Sequence, residues 1–136
     1  MKKEEIKAQK TVGPYSQGII FGNLIFVSGQ IGIDPKSNNL GEDIEEQTKQ
    51  VLENLKNVLK AAGSDINNVL KTTVYLADME DFPLMNEIYA SYFNKPYPAR
   101  ATVEVSNLPK GALIEIDCIA FIKIKENCCG QDCSCS

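Results

Sequence analysis

The sequence contains no histidine and no tryptophan, and among its 14 positive residues there is only one arginine, Arg100. Without histidine the chain lacks the commonest general base and the commonest metal ligand, so any catalysis falls to carboxylates, hydroxyls, thiols or backbone groups. No apolar run approaches the roughly 20 residues of a membrane-spanning helix. The start, Met1-Lys2-Lys3-Glu4-Glu5-Ile6-Lys7, mixes both charge signs and has no apolar secretory segment, from which we expect a cytoplasmic protein in a reducing compartment. A net charge of −4 disfavours a partner held mainly through phosphate contacts, so nucleic acid is not the expected ligand.

What is present fits one soluble domain: 136 residues, 43% hydrophobic and 24% charged. The five cysteines divide in two. Cys118 sits in an alternating apolar segment and reads as a buried core thiol, not a nucleophile. Cys128, Cys129, Cys133 and Cys135 crowd residues 126–136. Four thiolates could satisfy Zn²⁺ or Cu(I), but the spacing is not that of paired Cys-x-x-Cys knuckles. We expect a domain over residues 1–125 and a peripheral, disordered tail over 126–136, with no metal site.

Ile19-Ile20-Phe21 and Leu24-Ile25-Phe26-Val27 read as a hairpin turning at Gly22-Asn23. From Glu42 to Ala62, apolar residues at helical spacing, acids at the start, lysines near the end and Gly63 beyond them predict a helix. Val69–Leu76 reads as a strand. A second helix follows, capped by Asp81, with Phe82, Met85, Ile88, Tyr89, Tyr92 and Phe93 on one stripe that reads as core and not as a binding box. Asn94-Lys95-Pro96-Tyr97-Pro98 cannot continue it and leads into a strand over Ala101–Val105.

From Ile114 to Ile124 every even position is apolar, so that face must be covered. The odd face carries Glu115 and Asp117, then Ile119 and Phe121, a mixture that a partner subunit would explain. The order β-β-α-β-α-β-β predicts an α+β fold, a single mixed sheet with two helices packed on one face.

Arg100, between a proline-rich loop and a strand, has a planar fork suited to two parallel bonds with a carboxylate. The bland alternative is a surface salt bridge worth less than about 1 kcal/mol. Likewise, a tyrosine after Pro14 can be loop packing, Ser28 before Gly29 turn chemistry, and Glu115 a solvated strand carboxylate.

Four segments stand together: Gly13-Pro14-Tyr15-Ser16-Gln17-Gly18, Val27-Ser28-Gly29-Gln30, Pro98-Ala99-Arg100-Ala101-Thr102-Val103-Glu104-Val105, and Leu108-Pro109-Lys110 followed by Ile114-Glu115-Ile116. In order and spacing, from about Val12 to Ile124, they resemble the RidA family, also called YjgF, of enamine and imine deaminases. The resemblance implies a chorismate-mutase-like fold, a homotrimer with an active site in each cleft between subunits, and no cofactor. It also implies hydrolysis of 2-imino acids, such as those formed from 2-aminoacrylate, to 2-keto acids and ammonia. Arg100 would be the carboxylate clamp and Glu115 the acid that positions or activates water. Tyr15 and Ser28 would be pocket hydroxyls, with Gly29 beside the ligand. Many bacterial members have cysteine where this chain has Thr102, a position they use largely through its backbone. The rival readings are a non-catalytic keto-acid-binding or regulatory module, and an endoribonuclease or translation inhibitor.

Overall fold

In a computed structural model, which describes residues 1–8, 11 and 13–123, the chain forms six strands and two helices. The strands are β1 (Glu4–Ile6), β2 (Gly18–Phe21), β3 (Leu24–Ile31), β4 (Val69–Leu76), β5 (Ala99–Glu104) and β6 (Ile114–Phe121); the helices are α1 (Ile44–Ala61) and α2 (Phe82–Tyr92). They build a single sheet in the order β1-β2-β3-β6-β4-β5. All neighbours are antiparallel except β4 and β5, which makes the sheet mixed as expected.

The alternating segment is the sheet's central strand. Ile114, Ile116, Cys118 and Ala120 are all buried, joined from the helices by Val51, Leu52, Leu55, Met85 and Tyr89 in one core. Both helices therefore cover one face, and their apolar stripes explain why. The other face leaves Phe21, Leu24, Phe26 and Val103 exposed, with Ile119 and Phe121 half-buried beside them.

Local chemistry sets the helix ends. Asp43 caps α1 by accepting from the Glu46 N–H at 2.8 Å, and the Glu46 carboxylate accepts from the Glu42 N–H at 2.9 Å. This reciprocal cap starts the helix at Ile44, two residues later than Glu42. At the other end Gly63 adopts φ 81°, and Ser64 N–H donates to the Leu59 carbonyl at 2.8 Å.

Five local readings need correction. Asp81 makes no capping bond; Asp78 instead caps a 3-10 turn, Met79–Asp81, that runs straight into α2. The sequence reading missed β1, whose three residues are too few and too charged to show a pattern. The first hairpin's second strand continues past Val27 to Ile31. β5 begins at Ala99, so Arg100 lies within the strand and not ahead of it. β6 ends at Phe121, where Ile122 N–H turns to the Asn23 carbonyl at 2.8 Å. Ile124 and the cysteine-rich tail lie outside the described residues, as does the Zn²⁺ or Cu(I) question. Among the described residues no helix is long and apolar enough to cross a membrane.

Candidate functional site

Between Val27 and Gln30 the register of β3 against β6 slips: Val27 pairs with Cys118, yet Gln30 pairs with Ile116. Ser28 and Gly29 thus stand together opposite the single residue Asp117, a β-bulge. Its effect is to change which face each later residue of β3 takes. Ile25 and Val27 face the helices, and beyond the bulge it is Gln30 that does so, leaving Ile31 paired with Glu115 on the helix-free face.

Side chains and the preceding loop hold the bulge in place. Ser28 N–H donates to the Gln17 carbonyl at 2.9 Å, and Ser28 Oγ donates to the Ser16 carbonyl at 2.6 Å. Buried Gln30 donates through Nε2 to the Ser28 carbonyl at 2.9 Å. The loop that carries Tyr15 is thereby tied to the strand that carries Gly29.

Gly29 is required because the Glu115 side chain occupies the space above it. A β-carbon at position 29 would collide with Glu115 Oε2 and stand 2.7 Å from Cδ. Tyr15, Gly29 and Glu115 line one cavity of about 210 Å³. Ser28 lines another cavity with Tyr15, and its hydroxyl proton is committed to the Ser16 carbonyl of the loop that carries Tyr15. Burial pushes the Glu115 carboxyl up from the usual range, and the neighbouring Asp117 charge adds to the effect. A carboxyl raised in this way holds a proton more tightly than an ordinary glutamate, the direction that suits a group taking and returning one during a reaction.

Arg100 lies elsewhere. It pairs with Thr72, which pairs with Cys118, so this row of side chains faces the helices. Glu115 pairs with Tyr75, which pairs with Val103, and that row faces away from them. Arg100 lines a separate cavity of about 370 Å³ with Asn86, Tyr89, Tyr97 and Pro98. Its Cζ stands 4.7 Å from the centre of the Tyr89 ring and 5.5 Å from that of Phe82. Among the described residues no carboxylate pairs with it. Thr102, two positions along β5, takes the same face as Arg100, and its buried Oγ1 has no hydrogen-bond partner.

The sequence reading did not foresee several residues that complete these cavities. Gln17, Gln30, Asn38, Asn54 and Lys110 line the same cavity as Glu115. Asn38 and Lys110 hold φ of 62° and 57°, the positive-φ non-glycine residues of the described chain, and strained backbone of this kind gathers at functional sites. Tyr89 reads from the sequence as core, and it is buried, but its ring also carries the guanidinium. The thiol of Cys118 is pushed up to about 12 by burial, with Asp117 adding to the effect, which fits a core residue and not a nucleophile. Among the described residues no cluster of three or more His, Cys, Asp or Glu could hold a metal ion.

Comparison with known proteins adds to this geometry. The family model described as Endoribonuclease L-PSP matches residues 5–122. A RutC family protein of Pyrococcus horikoshii is 57% identical over 115 residues, covering 84% of this chain and 91% of that one. The human 2-iminobutanoate/2-iminopropanoate deaminase is 50% identical over 116 residues, covering 85% of each. Among solved structures, YyfA of the conserved Rid protein family, from Yersinia pestis, superposes with a TM-score of 0.86 at 46% identity, covering 89% of this chain and all of that one.

Proposed function

This chain belongs to the Endoribonuclease L-PSP family, the family of the RidA and Rid proteins, and from that premise we propose that it is a 2-iminobutanoate/2-iminopropanoate deaminase acting in the cytoplasm. Its substrates are small 2-imino acids, including those that form from 2-aminoacrylate. The observation that carries this reading is the Glu115 carboxyl held over Gly29 in a polar cavity, with its proton affinity raised by burial.

A 2-imino acid presents an electrophilic carbon beside a carboxylate. A guanidinium that grips the acid group with two parallel bonds fixes where that carbon sits, and such charge-assisted bonds contribute about 1.5 to 3 kcal/mol each. Ionised Glu115 takes a proton from water as its oxygen attacks the imine carbon. The tetrahedral adduct then receives that proton on nitrogen, and as the C–N bond breaks Glu115 carries the adduct's hydroxyl proton to the same nitrogen, so that ammonia leaves and the carbonyl of the 2-keto acid remains. When the enamine tautomer arrives, its terminal carbon is first protonated by Glu115 or by a water held near Tyr15. Imine hydrolysis needs a positioned water and proton transfers, which these side chains supply with no cofactor and no metal.

Arg100 and Glu115 face opposite sides of the sheet in one chain. We therefore assign the site to an assembly in which Arg100 of one copy meets Glu115 of another, a homotrimer with its active sites between subunits. The uncovered apolar face bearing Phe21, Leu24 and Phe26 supports such packing.

Glu115→Gln separates this reading from a ligand-binding module. Ammonia release from freshly generated 2-aminoacrylate should be lost while 2-ketobutyrate still binds. Unchanged turnover would remove Glu115 from the reaction. RNA cleavage that survives Arg100→Ala would point instead to the activity named in the family description.

A further inference from the structure

We propose that Tyr89 is a positioning residue for Arg100: its ring, anchored by its hydroxyl to Thr72, sets the plane of the guanidinium while leaving the N–H donors open to a substrate carboxylate. This rests on the reading of Arg100 as a carboxylate clamp.

A long arginine side chain samples many rotamers, and holding one of them on ligand binding weakens affinity unless the protein has already chosen it. Pairing with a protein carboxylate could make that choice, but it would occupy the same in-plane N–H groups the ligand needs. An aromatic face does not, because stacking uses the flat side of the guanidinium and leaves its edge available. Around Arg100 the described residues offer aromatic rings and no paired carboxylate. Tyr89 and Phe82 lie seven residues apart, two turns of α2, and both rings are within about 6 Å of the guanidinium carbon.

Tyr89 is itself held from three directions. Its backbone belongs to α2, its ring packs on Phe93 at 4.5 Å between centres, and its hydroxyl shares a 2.7 Å hydrogen bond with Thr72 Oγ1. Thr72 is the residue of β4 paired with Arg100. The bond therefore ties the platform to the strand position beside the one it serves, so helix and sheet cannot shift apart without moving the guanidinium. Tyr89 is only 5% exposed. Packing alone would not call for the open cavity that the ring shares with Arg100, Asn86 and Tyr97.

The lone arginine makes the test direct, because Arg100 alone gives an arginine Nε–H signal in a ¹H–¹⁵N spectrum. That signal should be shifted by the Tyr89 ring current in the wild-type protein, lose most of the shift in Tyr89→Leu, where only the more distant Phe82 ring remains, and keep it in Tyr89→Phe. Tyr89→Leu should raise the Kd for 2-ketobutyrate and the KM for imine about tenfold, with kcat within about twofold, and Tyr89→Phe should restore most of the affinity. An unshifted wild-type signal overturns the proposal without any variant, so it stays decidable if Tyr89→Leu fails to fold. Unchanged signal and affinity in a folded Tyr89→Leu overturn it too. If the wild-type protein releases no ammonia from imines, the deaminase reading falls, and the change in the Nε–H signal between wild type, Tyr89→Leu and Tyr89→Phe still decides whether Tyr89 positions Arg100.

Discussion

The Glu115 carboxylate rests on the backbone of Gly29, in space that a side chain at position 29 would claim. Two segments 86 residues apart are brought to this contact by the pairing of β3 with β6, with the bulge at Ser28 and Gly29 opening the room. The fit makes position 29 sensitive in a way that a surface turn would not be.

Gly29→Ala should push the carboxylate aside. We expect ammonia release to fall about 100-fold, the scale of a misplacement near 1 Å, with a stability cost of about 1–3 kcal/mol from overpacking. Thermal unfolding and turnover measured on the same preparation check this. Near wild-type turnover would mean that Glu115 works from another position.

The raised carboxyl of Glu115 predicts two pH effects. Turnover should fall as pH drops through a value above the usual glutamate range, and Asp117→Asn should move that acidic limb downward by removing the neighbouring charge. For stability, a group whose folded pKa is raised favours the fold below its unfolded pKa and loses that contribution as pH rises through the folded value. Glu115→Gln should therefore unfold at a higher temperature than wild type at pH 7, with the advantage vanishing in acid. A limb at the ordinary glutamate pKa would count against the burial argument.

The opposite facing of Arg100 and Glu115 predicts complementation between inactive variants. In the proposed assembly, Arg100→Ala and Glu115→Gln chains, each inactive by itself, should regain up to about a quarter of wild-type activity when unfolded and refolded together, because one interface in four then carries both native residues. A site contained within one chain would stay silent in the mixture. Arg100→Lys should also lose most activity, since a point charge cannot make the two parallel bonds.

Cys118 should resist alkylation in the native protein at pH 8 and react after denaturation, as its thiol is both buried and pushed up to about 12. Cys118→Ser should cost about 1–3 kcal/mol through a buried hydroxyl without a partner. Peptide mapping and denaturant unfolding provide the two measurements.

Removing residues 126–136 should leave ammonia release and the number of subunits in the assembly unchanged. Loss of either, or a stoichiometric metal in the purified full-length protein, would give the four tail cysteines a role that the expected domain boundary denies them.

Much of this was legible in the residues. The alternation from Ile114 to Ala120 identified a strand covered on one side, and the stripes of the two helices identified what covers it. These are periodic signals, and burial acts on every residue of an element, so the pattern survives local irregularity. Motif spacing drew attention to Tyr15, Gly29, Arg100 and Glu115 one by one. β1 was not legible, because three residues paired at a sheet's edge need no particular side chains. Nor was the 3-10 turn that gives Asp78 the capping role expected of Asp81.

The sequence alone determined which residues have the chemistry: one arginine, no histidine, and a carboxylate on an otherwise half-apolar strand face. Tertiary structure decided where that chemistry points. A single extra residue in β3 changes which face Gln30 and Ile31 take, and no periodicity announces it, since a bulge is fixed by the partner strand and by Gln17 and Gln30 around it. In the same way, the pairing of β5 with β4 turned Arg100 toward Tyr89 and away from Glu115. Side-chain facing in a sheet follows register, and register is settled between strands, not within them.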